Sequence, residues 1–486
     1  MVRQSASAVA VFACAVVVLG MWLGGIASVH GVNADEGFYV LAAMRVLDGE
    51  RLYADFFYPQ MPYLPILAAG VLAVLPADSA LLAGRLTSVV PGALLGGVLA
   101  VHALRRSGAV WVMLVVVAAF ATHVLSLHYL TVTKTYGLSS LAMVGAFLLA
   151  TRADAPRWPI AFVVGMLAAL AVGTRLPTVP VALLLAFWQA RAGGRSFLAF
   201  CAGAAVGALP CLGILLDDPR AFWFNNVGFH ELRKEVDGWL PILTQKAIIL
   251  GKWILLPQNL ILWCAAFLGW RADDESRSGR ALACAGALGV LYLYATPTYL
   301  EYTVQLIPFL LIAAVPALAG QTWRRPAIVL GLAIWCFGLA FALRPTAADS
   351  ARGRKLALWS HASVHSVAAY LHAHSDPGDR ILSWWEGYPW LAGREGYRGV
   401  GFWESNVAKK LPAVERRRFH VVGLEQRRAW VEEGDPRLVV FPAGKWRELL
   451  PSLRRHYALA ATFGTIRVFA REGDPKRRVK AEPSHG

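Results

Sequence analysis

Two adjacent acids, Asp35 and Glu36, follow directly on a long apolar stretch of the sequence. They lie near the start of the segment VNADEGFYVLAAMRVLDGERLY, residues 32 to 53. Asparagine or aspartate at such a place often caps the helix that follows, by accepting hydrogen bonds from its first amides. The alternative is that the pair does chemistry at a membrane surface, since carboxylates accept protons and bind cations. The stretch alone leaves both interpretations open.

The composition is that of a polytopic membrane protein. Of the 486 residues, 57% are hydrophobic and only 16% are charged, whereas a soluble protein of this length is about a quarter charged. Long uncharged stretches alternate with short basic clusters, as in a chain that crosses a bilayer repeatedly. The six cysteines all lie in apolar stretches, so neither a disulfide framework nor a cysteine metal site is indicated.

Apolar runs between charges predict eleven spans and a multi-pass protein. The run 61–76 is short and contains three prolines. Treating it as a juxtamembrane helix places the basic clusters on the side of Arg3, and the positive-inside rule assigns that side to the cytoplasm. The first span has no small-x-small cleavage site after it, so we expect it to be retained. The predicted spans are 7–29, 80–104, 108–127, 136–151, 159–173, 176–191, 196–216, 247–269, 281–297, 302–320 and 326–343.

Residues that could do chemistry gather at the face opposite these basic clusters. Ion-coupled transporters usually keep acids or bases near the middle of the membrane, and the predicted spans contain few. The distribution therefore favours an enzyme that works at the outer interface. That face holds the segments 30–79, 128–134, 173–175, 217–246 and 296–302 and everything after Arg344.

Residues 345–472 are predicted to form a small α/β domain outside the membrane, and 473–486 a disordered tail. Residues 1–344 form the membrane domain. No glycine-rich phosphate loop appears in the sequence, so nucleotide binding is not indicated. The pattern predicts helices at 363–374, 412–433 and 445–456, and strands at 380–385, at 437–441 and near 460–470.

The order of several motifs resembles the GT-C class of glycosyltransferases that use polyprenyl-phosphate sugars. An acid pair opens a large outer loop, the loop ends in FFYPQMPYLP, and an arginine introduces the span in GRLTSVVPGALLGGVLAVHAL. VGTRLPTVPVALLLAFW, FNNVGFHELRKE and YLEYTVQLIPFLLIAAVPALA follow in the same order. The chain is most similar to protein O-mannosyltransferases and lipid A aminoarabinose transferases. The resemblance covers nearly the whole chain and implies about eleven transmembrane helices, juxtamembrane helices in the first outer loop and a C-terminal soluble domain.

The resemblance implies a role for each of the charged residues at the outer face. Asp35 stands where the family has its catalytic acid, which would accept the proton of the acceptor hydroxyl. Glu36 is placed with it as a catalytic candidate, which would be a supporting partner of Asp35, a metal ligand or a solvated neighbour. Cations would face the lipid phosphate that leaves, and arginine suits this because its fork engages two phosphate oxygens. An interfacial arginine can instead contact lipid headgroups. The candidate phosphate-binding residues are Lys134, Arg175, His230, Arg233 and Lys234.

The substrate pocket and any metal are predicted less directly. Tyrosines at an interface can line a pocket, although tyrosines are also common in the aromatic belt. Relatives that hold a metal need charged residues where this chain has Pro59 and Gln60, and no other His, Asp or Glu cluster has ligand spacing. We therefore predict no metal ligand and no certain cofactor, and the sequence does not support a divalent metal. The predicted pocket residues are Tyr58, Gln60, Tyr63, Glu301 and Tyr302.

Together these patterns predict an inner-membrane glycosyltransferase, a hexosyl- or pentosyltransferase, with its site and its C-terminal domain on the extracytoplasmic side. It would move a sugar from a polyprenyl-phosphate donor to a lipid, glycan or protein acceptor, in contact with membrane lipids and without nucleic acid. The alternatives are a transporter or flippase for lipid-linked glycans, which would need a polar path through the spans, and a non-catalytic membrane scaffold.

Overall fold

The protein consists of a helical membrane part followed by a small domain with a β-sheet. The computed structural model describes residues 2–76, 79–152, 158–233, 238–273, 276–320, 331–336, 338–339, 358–400 and 404–473. The predicted span 326–343 lies largely outside these residues, and so do Lys234 and the predicted tail. The first helices of the membrane part are α1 (Val2–Val29), α2 (Glu36–Leu47), α3 (Tyr63–Leu72), α4 (Ala80–Ser107), α5 (Val110–Thr122), α6 (Val124–Tyr129), α7 (Tyr136–Ala150) and α8 (Trp158–Thr174).

The second half of the membrane part is also helical and includes three helical elements of other types. A short 3₁₀ turn (Leu176–Thr178) precedes α9, a π-helical turn (Phe224–Gly228) precedes α13, and a 3₁₀ helix (Leu300–Gln305) precedes α17. The α-helices are α9 (Val179–Ala192), α10 (Gly194–Gly207), α11 (Leu209–Asp217), α12 (Pro219–Trp223), α13 (Phe229–Leu232), α14 (Trp239–Leu255), α15 (Pro257–Arg271), α16 (Arg277–Tyr294) and α17 (Ile307–Ala319).

Long apolar helices in the described residues are consistent with a membrane protein, but they do not reproduce the predicted span count. Two segments, Ala8–Val29 and Ala80–Ser107, are long and apolar enough to cross a membrane, and the number rises to four if each of two bent helix pairs is one span. The pair α10 and α11 bends by 56°, and the pair α14 and α15 by 72°. Each second helix has proline at one of its first positions, where the missing N–H ends the preceding hydrogen-bond ladder. Eleven spans therefore stay a prediction.

Helix α14 also corrects a predicted boundary. It begins at Trp239 rather than at 247, and α12 and α13 occupy part of what was expected to be the loop 217–246. The run 61–76, in contrast, contains only the ten-residue helix α3. At about 1.5 Å per residue this helix is roughly 15 Å long, half the thickness of the hydrocarbon core. Its length fits the juxtamembrane position that was predicted for it.

The C-terminal domain contains a five-stranded mixed sheet. From one edge to the other the strands are Glu395–Gly396 (β2), Arg380–Ser383 (β1), Leu438–Pro442 (β3), Ile466–Arg471 (β5) and Tyr457–Phe463 (β4). The first three are parallel, and β5 is antiparallel to both β3 and β4. The predicted α/β character is confirmed, although the single helix expected at 412–433 is two helices. The elements are α18 (His361–Ala373), β1 (Arg380–Ser383), α19 (Gly387–Leu391), β2 (Glu395–Gly396), α20 (Glu404–Lys410), α21 (Ala413–Arg418), α22 (Leu424–Glu433), β3 (Leu438–Pro442), α23 (Leu450–His456), β4 (Tyr457–Phe463) and β5 (Ile466–Arg471).

Close packing of α8 against α10 depends on small residues. A methyl group added at Gly203 would lie 1.9 Å from the carbonyl oxygen of Phe162, and one added at Gly165 would lie 2.0 Å from that of Phe200. Small residues allow helix backbones to approach in membranes, where apolar side chains gain little by leaving lipid. This contact holds α10 against α8, the helix that ends directly before Arg175.

Gly203→Ala should therefore destabilise the protein by about 1–3 kcal/mol, because the new methyl group must push α10 away from α8. The matched control is Gly213→Ala in α11, where nothing lies within 4 Å of the added carbon. There the alanine should be neutral or stabilising by about 0.5–1 kcal/mol through its helix propensity. Thermal unfolding of both purified variants in detergent measures the difference, and equal midpoints would contradict the close contact.

Candidate active site

The segment between α1 and α2 carries the two adjacent acids, and the structure separates them. Asp35 precedes α2, but its side chain makes no capping hydrogen bond to that helix. Its own backbone N–H instead donates to Asn33 Oδ1 at 3.0 Å. Capping therefore does not explain the aspartate. The Asp35 side chain retains 31% of its surface exposure and lines a cavity, whereas Glu36 is completely buried behind the segment.

Glu36 and Arg85 form a buried ion pair that binds four parts of the chain together. The guanidinium of Arg85, on α4, donates to both Glu36 oxygens at 2.9 Å and to the carbonyl oxygens of Ala27, His30 and Gly31. The remaining acceptor capacity of Glu36 is used as well. Its oxygens accept from the backbone N–H of Asn33, and from the backbone N–H and hydroxyl of Thr133, at 2.8–3.1 Å.

Glu36 was predicted to be a catalytic residue together with Asp35. In the structure its carboxylate instead holds parts of the chain together. It does not line the cavity, and each of its oxygens is held by hydrogen bonds. A buried charge is tolerated only where it is paired and its lone pairs are satisfied, and this one meets both conditions. The pair fixes the segment that ends in Asp35.

The cavity beside Asp35 has a volume of about 530 Å³. Of the predicted residues it is lined by Asp35, Gln60, Lys134, Arg175, His230, Arg233, Glu301 and Tyr302, which come from sequence positions as far apart as 35 and 302. Other lining residues were not predicted. They include the neutral and aromatic side chains His30, Asn33, Phe38, Tyr39, His128, Tyr136, Tyr299 and Trp359.

Lys134 connects two carboxylates in the centre of this cavity. Its Nζ lies 2.5 Å from Asp35 Oδ2 and 3.3 Å from both oxygens of Glu301, and Tyr136 donates to Glu301 at 3.0 Å. Burial lowers the pKa of the Lys134 ammonium, but the carboxylates of Asp35 and Glu301 outweigh burial and hold that pKa above its usual value. The lysine is therefore a fixed positive charge beside the aspartate.

Arg175 lies on the cavity wall among tyrosine rings. Its guanidinium carbon is 4.4 Å from the ring centre of Tyr136 and 5.2 Å from that of Tyr302, and it donates to Thr135 Oγ1 at 3.1 Å. Its Nε is buried and has no hydrogen-bond partner within the described ranges. Aromatic faces stabilise a cation without neutralising it, so the guanidinium keeps its charge for a ligand.

His230 and Arg233 come from the short helix α13 and the residue after it. His230 Nε2 lies 3.0 Å from the carbonyl oxygen of Pro59, so this nitrogen carries the proton, and burial lowers the pKa of His230 to about 4. The ring is therefore a neutral hydrogen-bonding group at pH 7. Arg233 donates to the hydroxyl of Tyr299 at 3.1 Å.

Two predicted pocket tyrosines do not reach the cavity. The Tyr58 side chain is buried among aromatic residues such as Tyr39 and Tyr53, and the Tyr63 hydroxyl donates to the carbonyl oxygen of Gly207 at 2.5 Å. Neither residue lines the cavity, and both pack in the protein interior. Lys234 lies outside the described residues. In the part of the chain that the structure describes, no group of three or more His, Cys, Asp or Glu residues is arranged to hold a metal ion.

Similarity to known proteins is seen in structure rather than in sequence. No protein-family model and no curated protein matches the chain. Two crystal structures of ArnT from Cupriavidus metallidurans do match, both at 15% identity. The structure bound to undecaprenyl phosphate gives a TM-score of 0.65 over 95% of this chain and 97% of that one, and the apo structure gives 0.67 over 96% and 98%. The likeness shows the fold and supports the predicted helical membrane fold, whereas the predicted number of about eleven transmembrane helices is not tested by it.

Glu36→Gln should destabilise the protein by about 3–5 kcal/mol, because it leaves the buried Arg85 without a counter-charge. Glu425→Gln is the matched control, since the Glu425 side chain is 75% exposed and pairs at 3.1 Å with Arg416. Breaking that surface pair should cost less than about 1 kcal/mol. Thermal unfolding in detergent compares the two variants, and a Glu36→Gln protein as stable as the control would contradict the structural role.

Proposed function

We propose that this protein is a membrane glycosyltransferase that moves a sugar from a polyprenyl-phosphate donor to an acceptor hydroxyl. The observation that carries the proposal is a single cavity in which a carboxylate, Asp35, lies together with the cations of Arg175 and Arg233. Such a transfer needs a base for the acceptor and positive charge for the phosphate that leaves. The likeness of nearly the whole chain to ArnT, a protein crystallised with undecaprenyl phosphate, supports a site for a polyprenyl phosphate.

In the proposed reaction the acceptor oxygen attacks the anomeric carbon of the donor sugar and forms the new glycosidic bond. The bond between that carbon and the phosphate oxygen breaks, and its electron pair leaves with the lipid phosphate. The hydroxyl proton passes to the carboxylate of Asp35. Lys134 holds this carboxylate in place through its 2.5 Å contact. Glu301 lies on the other side of the same lysine and orients it.

The donor phosphate is proposed to bind between Arg175 and Arg233. His230 lines the same cavity, but its single N–H is already donated to the carbonyl oxygen of Pro59, so its ring offers the phosphate no hydrogen bond. Arg175 retains a buried N–H group without a partner in the described residues, and a phosphate oxygen would satisfy it. Charge-assisted hydrogen bonds from guanidinium to phosphate are among the stronger contacts in proteins. Tyr136 and Tyr302, which pack on Arg175, would keep the guanidinium pointed at this place.

We also propose that the site and the C-terminal domain face the extracytoplasmic side of the inner membrane. Helix α4 carries Arg85 near the site and Arg105 twenty residues later, about 30 Å along a helix. That length matches the hydrocarbon core, so the basic end of α4 would lie at the other, cytoplasmic surface. The grouping of the ionisable residues at one end supports an enzyme over a transporter or scaffold. The acceptor is a lipid, a glycan or a protein, and the sugar a hexose or a pentose.

Removing either arginine should weaken donor binding. Arg175→Gln and Arg233→Gln should each lower the affinity for a polyprenyl-phosphate sugar by about ten- to a hundredfold, since each loses a charge-assisted contact. Arg220→Gln removes the same charge from an exposed helix residue outside the cavity and is the matched control. Equilibrium binding of a labelled donor measures the three affinities. Unchanged donor affinity in both Arg175→Gln and Arg233→Gln would contradict the proposal that these arginines bind the donor phosphate.

Asp35→Asn tests the base directly, because it keeps the size of the side chain and removes the proton acceptor. Turnover should fall by about two to four orders of magnitude, while donor binding and thermal stability stay close to wild type. Glu301→Gln, which changes the other carboxylate on Lys134, should lose less turnover. Normal turnover in the Asp35→Asn enzyme would end the assignment, and a larger loss in Glu301→Gln would transfer the role to Glu301.

A further inference from the structure

Three hydrogen bonds join the C-terminal domain to the segment that carries Asp35. The indole N–H of Trp385 donates to the carbonyl oxygen of Ala34 at 2.7 Å, directly before the aspartate. The indole N–H of Trp390 donates to the carbonyl oxygen of Gly37 at 3.2 Å. On the other side of Asp35, the backbone N–H of Val32 donates to the carbonyl oxygen of Trp359 at 2.7 Å. The segment is thus held on both sides of Asp35 by one domain.

Trp385 is the most deeply buried of these contacts. Its side chain is fully buried, and its ring packs at 5.1 Å from Trp359 and 4.9 Å from Tyr388. An aromatic ring of this size that is locked on several sides has little freedom, so the position of its N–H is set by the domain core. The Ala34 carbonyl is therefore held at a fixed point relative to the sheet.

Two glycines make room for this ring. A methyl group added at Gly37, in the first turn of α2, would lie 2.4 Å from the Nε1 atom of Trp385. One added at Gly387 would lie 2.1 Å from the far edge of the same ring. Glycine within a helix costs stability relative to alanine, so its presence in α2 fits a need for close approach. The glycine at position 37 lets the domain reach the Ala34 carbonyl.

Glu386, the residue after Trp385, is a second carboxyl group near Asp35, so its charge matters for the aspartate. Glu386 lies close enough to Asp35 for their charges to interact, and burial raises the pKa of the Glu386 carboxyl to about 8. Burial therefore favours the neutral form of Glu386 and works against a second negative charge beside Asp35.

We infer that Trp385 is a positioning residue for Asp35, through which the C-terminal domain completes the active site. The expected effect of Trp385 on turnover rests on the proposed function. The positioning itself rests on the hydrogen bond from Trp385 to the carbonyl oxygen of Ala34. Because the tryptophan does not line the cavity, it acts on the aspartate and not on the donor. A small displacement of a catalytic group slows the reaction strongly, since a shift of about 1 Å lowers the rate on the order of a hundredfold.

The experiment compares Trp385→Phe with Trp446→Phe, a buried tryptophan that packs 5.8 Å from Phe441 inside the same domain. Trp385→Phe should lower kcat by about ten- to a hundredfold with donor affinity unchanged, whereas the control should keep both. Gly37→Ala should reproduce the kcat loss, because its methyl group displaces the same indole. Loss of donor affinity equal to the loss in kcat would contradict a positioning role.

Hydrogen exchange of the backbone amides at 32–38 supplies a readout that does not depend on activity. Exchange there should rise in Trp385→Phe and Gly37→Ala and stay at the wild-type level in Trp446→Phe. Unchanged exchange in both Trp385→Phe and Gly37→Ala would overturn the inference, whether or not turnover changes. If the wild-type protein transferred no sugar, the proposed function would fail, and the exchange data would still decide whether Trp385 holds the segment.

Discussion

The ion pair of Glu36 with Arg85 is the constraint on which the site depends. Burying two charges is costly, and here the cost is offset only because all of their hydrogen-bonding groups are engaged at once. The two residues and their partners come from the end of α1, the segment leading into α2, α4 and the loop before α7. If one of these segments moves away, a charged group or a backbone carbonyl loses its hydrogen-bond partner. The two adjacent acids therefore have different positions: Glu36 is buried in the ion pair, and Asp35 lines the cavity.

The cavity that results carries an excess of positive charge. The described lining residues include three cations, Lys134, Arg175 and Arg233, and two carboxylates, Asp35 and Glu301, which leaves one positive charge. Lys134 contacts both carboxylates, so neither of them pairs with Arg175. Tyrosine faces accommodate Arg175 without cancelling its charge. An anionic leaving group is the species that such an arrangement stabilises, and a neutral transported solute would gain little from it.

The sequence predicts those site residues whose position depends only on which side of the membrane each segment faces. Asp35, Arg175 and Arg233 each follow an apolar helix or lie in an outer segment, so the order of the spans brings them to one surface. Prediction from the sequence failed where folding depends on contacts distant in sequence. The burial of Glu36 requires Arg85, the burial of Tyr63 requires the backbone of Gly207, and Trp385 acts from 351 positions away. Bends after 207 and 255 were missed because hydropathy does not distinguish a proline-broken helix from a straight one.

The measurement that tests the account most directly is incubation of the purified protein with a panel of labelled polyprenyl-phosphate sugars, in the presence of candidate acceptors, with release of the lipid phosphate as the readout. The account predicts that at least one donor is cleaved at its bond between the anomeric carbon and the phosphate oxygen, with the sugar recovered on an acceptor. Binding of polyprenyl phosphate without cleavage of any donor, together with movement of a lipid-linked glycan across vesicles containing the protein, would contradict it.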